Sequence, residues 1–422
     1  MDLHLGCIAD DLTGATDIGL MLATNGMPTR VSLGVPGRLR RSATSAYVIA
    51  LKIRTAPAAE AVDQALRAAD WLLAEGAGQL FYKYCSTFDS TPSGNIGPVT
   101  DALLERVHDD FTVLLPAFPE NGRTVQGGLL FVNSEPLAES SMRDHPLTPM
   151  TESSVVSLMD QQTAPGWTGA IHNDVLGAGV DALRTELAKR QTDGYRYVVV
   201  DAGSDNDLHT IARAVSEYPL LTGSSGIARA LPEQYRRRQL LPSNAQPQTL
   251  PACPGNGAIL AGSCSNATRE QIAQFRSHAH TIHIDPVKIL ESAAHVDGLA
   301  TEAIEAAAAR PVMVYSSADP VRLSAVHTAR GVTESAVAVE NCFARIARAL
   351  RDTGTRKFLV AGGETSGAVA AALDISELTI GPKISAGVPW MISSDEEPLC
   401  VAFKSGNFGQ RDFFQRALEM FP

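Results

Sequence analysis

Apolar runs of strand length alternate with helical patterns along nearly all of this 422-residue chain, and that alternation restricts its fold more than any other feature. Strand-like runs occur at Leu3–Ala9, Tyr47–Leu51, Gln79–Tyr84, Thr112–Leu115, Tyr197–Val200 and Leu220–Thr222. Between them lie helical patterns such as Ala58–Ala74, Val99–Val107, Val180–Lys189 and Leu208–Val215. This rhythm predicts a mostly parallel sheet with helices on both faces, because parallel neighbours need a crossover connection and a helix supplies it compactly. One stretch departs from it. Asn121-Gly122, Gly127-Gly128 and the β-rich Leu129–Val132 predict a hairpin excursion, followed by a long loop over Ser134–Met150.

A chain of this length exceeds what one core ordinarily supports, so two domains are expected. The basic, polar and proline-rich stretch Arg236–Pro254 marks the boundary. It divides the chain into an N-terminal domain, 1–240, a linker, 241–255, and a C-terminal domain, 256–422. A second α/β rhythm follows it at Gly257–Ala261, Pro311–Tyr315, Lys357–Ala361 and Leu399–Lys404, with an alanine-rich helix at Thr301–Ala309. The fold class is therefore α/β, as two α/β domains with mostly parallel sheets.

Hydrophobic residues at 45% and charged residues at 19% describe a globular chain, and a net charge of -11 argues against nucleic acid as a partner. No apolar run approaches a membrane span. The six cysteines are scattered without a Cys-x-x-Cys pair, which suggests reduced thiols rather than disulfides or zinc. Asp2, Asp10, Asp11 and Asp17 are unlike a secretory leader, so a cytoplasmic enzyme is expected.

Chemistry concentrates where strand-like runs end, the edge at which α/β proteins place their sites. The first run enters Asp10-Asp11-Leu-Thr13-Gly14, two adjacent carboxylates before a helix that Thr13 can cap. The plain alternative for these acids is stabilisation of the helix dipole. Their adjacency excludes a haloacid-dehalogenase-type phosphatase, which separates its two acids by one residue. The third run enters Lys83-Tyr-Cys-Ser-Thr-Phe-Asp-Ser-Thr-Pro-Ser-Gly-Asn-Ile-Gly97, with Pro98 suited to the following first turn. This loop offers an ammonium, a carboxylate, hydroxyls and an amide, the groups a polyhydroxylated acid requires. Its alternative is a Ser/Thr-rich turn that caps its own backbone. Lys52, Arg54 and Arg123 end or follow other strands and add cations to one anion pocket. His172 and Asp201 end strand-like runs, each equally suited to a structural role. Thr222-Gly-Ser-Ser-Gly226 suits either an anion or tight packing.

The C-terminal domain holds three glycine turns: Ala261-Gly-Ser-Cys-Ser265, Ala361-Gly-Gly-Glu-Thr-Ser-Gly367 and Ser405-Gly-Asn-Phe-Gly409. The first is followed by a capping-box candidate, Thr268 with Gln271. The second precedes a helical run, Ala368–Leu373. Backbone N–H groups at such turns bind phosphate. None is a Walker A loop or a Gly-x-Gly-x-x-Gly fingerprint, yet three in one domain point to nucleotide phosphates.

Together these segments resemble the four-carbon acid sugar kinase family over nearly the whole chain. The resemblance is carried by Ile8-Ala-Asp-Asp-Leu-Thr-Gly14, Gly122-Arg-Thr-Val125, Gly262-Ser-Cys-Ser265, Gly362-Gly-Glu-Thr-Ser-Gly367 and Ser405-Gly-Asn-Phe-Gly409. Threonate and erythronate kinases of the family typically show Lys-x-x-Asp-Ser-Thr-Leu-Arg-Gly. The longer Lys83–Gly97 loop and His145-Pro-Leu-Thr-Pro-Met150 look instead like the 3-oxo-tetronate 4-kinase branch. Pro92 and Ser93 stand where the arginine would be, which leaves the substrate carboxylate to Lys83, Arg54 and Arg123.

The resemblance implies a substrate domain followed by an ATP-binding domain, with the active site in the cleft between them closing over the reactants. It implies ATP-dependent transfer to the 4-hydroxyl of a four-carbon sugar acid. Asp11 is the expected base, Asp10 the second choice, and Asp89 also qualifies by residue type. Thr13, Gly14, Ser86, Thr87, Asp89, Ser90, Asn95 and His172 complete the implied sugar-acid site. Ser263, Ser265, Gly362, Gly363, Glu364, Thr365 and Gly406 would hold ATP, with Mg²⁺ bridging phosphate oxygens; metal ligands are not assigned, and homo-oligomerisation is left open. Threonate or erythronate kinase, a nicotinamide-dependent hydroxy-acid dehydrogenase and a non-catalytic sugar-acid sensor are the alternatives.

Overall fold

The alternating runs fold as parallel strands joined by helices, in a computed structural model that describes residues 3–37, 44–144, 148–243, 253–316 and 332–420. The chain divides into two units, Met1–Gln248 and Thr249–Pro422. The expected linker lies largely outside the described residues, as do positions 145–147 of the His145–Met150 motif. No helix among the described residues is long and apolar enough to cross a membrane.

The first unit begins β1 (Leu5–Ala9), α1 (Leu12–Thr24), β2 (Thr29–Leu33), β3 (Ala46–Ala50), α2 (Ala58–Ala74), β4 (Gln79–Lys83), α3 (Ile96–Arg106) and β5 (Thr112–Leu115). An antiparallel excursion follows, β6 (Arg123–Gln126), β7 (Leu129–Val132) and β8 (Glu135–Pro136). The unit closes with α4 (Val155–Asp160), β9 (Thr168–Ile171), α5 (Asn173–Gly177), α6 (Val180–Thr192), β10 (Tyr197–Val200), α7 (Asp205–Val215), β11 (Leu220–Gly223) and α8 (Leu231–Arg237). The main sheet runs β2-β3-β1-β4-β11-β5-β10-β9, and every pairing in it is parallel. Right-handed crossovers place α1 on one face and α2 with α3 on the other, because the chain leaves β1 and β3 in opposite directions. With both faces covered, every residue of β1, β3 and β4 is buried.

The hairpin turn is Gly127-Gly128, both glycines at positive φ (61° and 74°) where a side chain would be strained. The stretch expected to be one long loop after it carries β8 and a short 3₁₀ turn at Leu137–Glu139. The start of α1 also differs from expectation. Asp11, not Thr13, caps α1, its carboxylate accepting from the Gly14 N–H at 2.8 Å. The cap falls to Asp11 because its backbone is still extended, φ -149°.

The second unit runs β12 (Gly257–Ala261), α9 (Asn266–Phe275), β13 (His280–His283), α10 (Pro286–Glu291), α11 (Ala293–Ala307), β14 (Val312–Tyr315), α12 (Val332–Asp352) and β15 (Lys357–Ala361). It ends with α13 (Gly363–Ala372), β16 (Glu377–Ser385), β17 (Val388–Ser393), β18 (Cys400–Lys404) and α14 (Phe413–Glu419). Its strands lie in the order β13-β14-β12-β15-β18-β17-β16. Strands β13, β14, β12, β15 and β18 are parallel, whereas β16, β17 and β18 form an antiparallel meander. The helix expected from Ala368 begins five residues earlier, at Gly363, so the glycine turn itself forms the helix start. A core around Trp390, Phe275, Phe413 and Phe414 closes this unit.

Candidate active site

In the first unit β1 and β4 are neighbours, yet the chain leaves β1 toward β2 and leaves β4 toward β5. Adjacent strands whose connections diverge leave a crevice at their C-terminal ends, the usual ligand position in such sheets. Register sets what enters it. Ala9 pairs with Ala50 on one side and with Lys83 on the other, and Lys83 pairs in turn with Gly223. The acidic turn, the Lys52–Arg54 segment, Lys83 and the Ser224-Ser225 turn therefore share one edge.

Arg54 organises this edge. Its Nε and Nη2 donate to the two oxygens of Asp10 at 2.7 and 2.9 Å, and Nη2 also lies 2.9 Å from Asp11 Oδ1. Arg54, expected to bind the substrate's carboxylate, is thus already paired with the chain's own acids. Asp11 carries a further role beyond its cap: its other oxygen accepts from the Thr13 hydroxyl at 2.8 Å. Burial alone would raise the Asp11 carboxyl, but Arg54, Lys83, Thr13 and the Gly14 N–H together hold it below the usual carboxylate range. A carboxylate so committed is a weak proton acceptor. Asp10, bound on both oxygens, is no better placed.

Lys83 behaves differently. It is 4% exposed, yet its ammonium forms no ion pair among the described residues. It lies over Gly14, where a Cβ would meet Nζ at 2.4 Å and push the ammonium aside. Beside it stands an acid outside the expected site residues. Asp17, three residues after Gly14 and so on the same helix face, is 6% exposed with Oδ1 unpartnered. Burial pushes its carboxyl up to about 6, against the opposing influence of Lys83 and the Ser225 hydroxyl. The available signal was an acid inside a helix whose residues from Thr13 to Ala23 are all buried.

The Lys83–Gly97 loop is braced rather than open. Thr87 donates to Asp89 at 2.5 Å and contacts the Cys85 sulfur at 3.0 Å. Ser90 accepts from Gln162 at 3.0 Å, and a Cβ on Gly94 would meet the Ser90 hydroxyl at 2.0 Å. Asn95, expected to contact substrate, donates instead to the carbonyls of Ile53 and Ala56 at 2.6 and 2.9 Å, holding the segment that presents Arg54. Ser86 is partly exposed beside them. Phe88 adopts φ +52° while fully buried against Tyr84, a strained backbone of the kind found where a loop is held in place for function.

One expected residue lies elsewhere. His172 follows β9, four strands from β4 and so roughly 19 Å along the sheet. It sits 3.4 Å from Asp201, whose carboxylate accepts from the N–H groups of Gly127 and Gly128 and ties the hairpin to the sheet. Arg123 begins the hairpin and donates to the Asn121 carbonyl, while its buried Nε has no partner. In the Thr222–Gly226 turn the glycines serve close packing: Cβ atoms on Gly223 and Gly226 would strike the carbonyls of Leu115 and Ala117 at 2.4 and 2.3 Å.

The second unit repeats the diverging-connection geometry. Strand β12 leads toward β13 and its neighbour β15 toward β16, and Ala261, Ala361 and Lys404 are in register across β12, β15 and β18. All three glycine turns therefore begin at one level. The N–H groups of Gly262 and Ser263 donate to the Ala361 carbonyl at 3.0 and 3.1 Å. A Cβ on Gly262 would meet Thr365 Oγ1 at 2.1 Å, and one on Gly406 would meet Ser263 Oγ at 2.2 Å. Gly362 (φ +122°) caps α13, and exposed Gly363 and Glu364 form its first turn. Helix α9 is capped by Ser265, not by a Thr268–Gln271 box. Those two side chains reach across to the last turn instead. Thr268 joins Ser265 and Lys404 in donating to the Gly406 carbonyl, at 2.8, 2.6 and 3.0 Å, and Gln271 binds the carbonyls of residues 408–410. Lys404, also passed over in the sequence, is 1% exposed, and burial pushes its ammonium down to about 7. Glycine turns at helix starts are the kind of element whose free N–H groups can bind phosphate.

All six cysteines are free. A family model for a sugar-binding N-terminal domain matches residues 5–231, and one for a nucleotide-binding C-terminal domain matches 258–414. A Burkholderia multivorans protein named 3-oxo-tetronate kinase is 46% identical over 417 residues, 98% of this chain and 96% of that one. A Salmonella typhimurium protein of the same name is 44% identical over 422 residues, 99% of each. Among solved structures, a Salmonella typhimurium LT2 protein provisionally described as a tRNA synthase matches with a TM-score of 0.89 at 42% identity, covering 99% of this chain and 100% of that one. A Haemophilus influenzae protein of family DUF1537 matches with a TM-score of 0.81 at 39% identity, with the same coverage. The chain belongs to the four-carbon acid sugar kinase family.

Proposed function

We propose that this chain is an ATP-dependent kinase of the cytoplasm that phosphorylates the 4-hydroxyl of a 3-oxo-tetronate. The observation that carries this reading is the Lys83 ammonium, buried at the crevice between β1 and β4 without an ion pair among the described residues. A buried cation so placed selects an anionic ligand. The relatives named 3-oxo-tetronate kinase specify which acid. In this reading Lys83 takes the substrate carboxylate, while Thr13, Ser86 and the N–H groups of the acidic turn face its oxygens. Ser263, Gly362–Thr365 and Gly406 receive the ATP phosphates. Mg²⁺ fits the donor set there: it favours a carboxylate or two plus phosphate oxygens, and exposed Glu364 in the first turn of α13 is the carboxylate beside them. Bound on the phosphates, it would neutralise charge during transfer.

The test is ADP release by the purified chain with 3-oxo-tetronates, threonate and erythronate. Turnover of a 3-oxo acid well above the others is expected; turnover of threonate without the 3-oxo acid would overturn the substrate assignment. Gly262→Ala should raise KM for ATP by about tenfold while leaving KM for the acid unchanged, because its Cβ displaces Thr365 from the phosphate cradle. Initial rates at varied ATP and varied acid check this.

A further inference from the structure

We propose that Asp17, rather than either acid of the Asp10-Asp11 pair, is the general base that takes the proton from the attacking 4-hydroxyl. The proposal rests on the kinase reading above. Its geometric ground is the division of labour among the acids of this edge. Asp10 has both oxygens bound by Arg54. Asp11 is occupied by Arg54, Thr13 and the Gly14 N–H. Asp89 accepts the Thr87 hydroxyl. Asp17 alone of these four keeps a buried carboxylate oxygen with no hydrogen-bond partner.

Its position also suits the task. Asp17 shares a helix face with Thr13 and Gly14, and Lys83 lies over Gly14, so a substrate carboxylate drawn to Lys83 brings its chain past Asp17. The charged and titratable groups facing Asp17 are Lys83 from β4, Asp11 from the cap of α1, Glu120 from the turn after β5, and the Ser225 hydroxyl after β11. Burial is the largest influence on the carboxyl and sets it near 6, just below neutral pH, where a carboxylate is both ionised and most basic.

The step balances without further reagents. As the 4-hydroxyl oxygen bonds to the γ-phosphorus, the bond from that phosphorus to the β,γ-bridging oxygen breaks and ADP departs with the electron pair. The hydroxyl proton passes to Asp17 and then to water.

The decisive measurement is the pH profile of ADP release from ATP and a 3-oxo-tetronate, for the full chain and its variants. The wild-type kcat/KM should rise with pH through a midpoint of about 6 to a plateau. Asp17→Asn should lower kcat by about 10²–10⁴-fold and flatten the profile, with both substrates still bound in calorimetric titrations and Asp17→Glu recovering part of the rate. The variant should also melt no lower than wild type at pH 8, because it removes a carboxylate whose ionised form is disfavoured by burial. A counter-ion role for Lys83 alone would raise KM for the acid and leave kcat and the pH limb intact, and that result overturns the proposal. So does loss of the limb in Asp11→Asn but not in Asp17→Asn. A wild type that turns over no four-carbon acid overturns the kinase reading and the base with it, whereas normal wild-type turnover with an undiminished Asp17→Asn overturns the base alone.

Discussion

Arg54→Met is expected to destabilise the first unit by about 3 kcal/mol at neutral pH, as seen in urea unfolding followed by circular dichroism. The cause is not a lost surface pair. Arg54 bridges Asp10, which is almost fully buried, and Asp11, whose side chain is 23% exposed; removing the guanidinium leaves two neighbouring carboxylates with no cation between them. The variant should also respond differently to pH. In the wild type the Asp11 carboxyl lies below its ordinary value, so its contribution is present above that value and is lost as pH falls through the folded one. In Arg54→Met the same carboxyl should rise instead, and the stability gap between variant and wild type should narrow as pH is lowered toward 4. A gap that stays constant with pH would show that Arg54 acts through packing of its stem and not through its charge.

Lys83→Met should produce the largest loss of substrate affinity without unfolding the chain. A hydrogen bond to a charged group is worth about 1.5–3 kcal/mol, which converts to a rise of about 10–150-fold in KM for the acid. The effect on KM for ATP should be small, since Lys83 belongs to the first unit and the glycine turns to the second. Initial-rate kinetics with each substrate varied separate these. Equal rises in both constants would remove Lys83 from the role of carboxylate anchor. The wild-type arrangement also depends on Gly14, because any side chain there would meet the ammonium.

The α/β class and most strands of both units could be read from the sequence. The reason is local. Apolar runs such as Leu5–Ala9 and Lys357–Ala361 are buried on both faces, as strands of a covered parallel sheet are. The glycine turns were legible as places of close approach, where a side chain would not fit, and Gly262 and Gly406 show such approaches. Polar loops were less legible. Asn95 and Thr268 have the same groups whether they meet a ligand or the chain's own carbonyls, and composition does not distinguish the two. In both cases the carbonyls are the partners.

The acidic turn illustrates where local reading stops. Sequence by itself determined that two adjacent carboxylates would stand between β1 and α1, at the edge where ligands bind, and that a lysine would end β4. Tertiary structure alone decided their roles, since strand register brings Arg54, Lys83 and Asp17 together from segments far apart in the chain. Arg54 takes up Asp10 and Asp11, and Asp17, indistinguishable in sequence from any other helical acid, keeps an oxygen free. Charge pairing and desolvation depend on neighbours through space, so they are set only once the chain has folded.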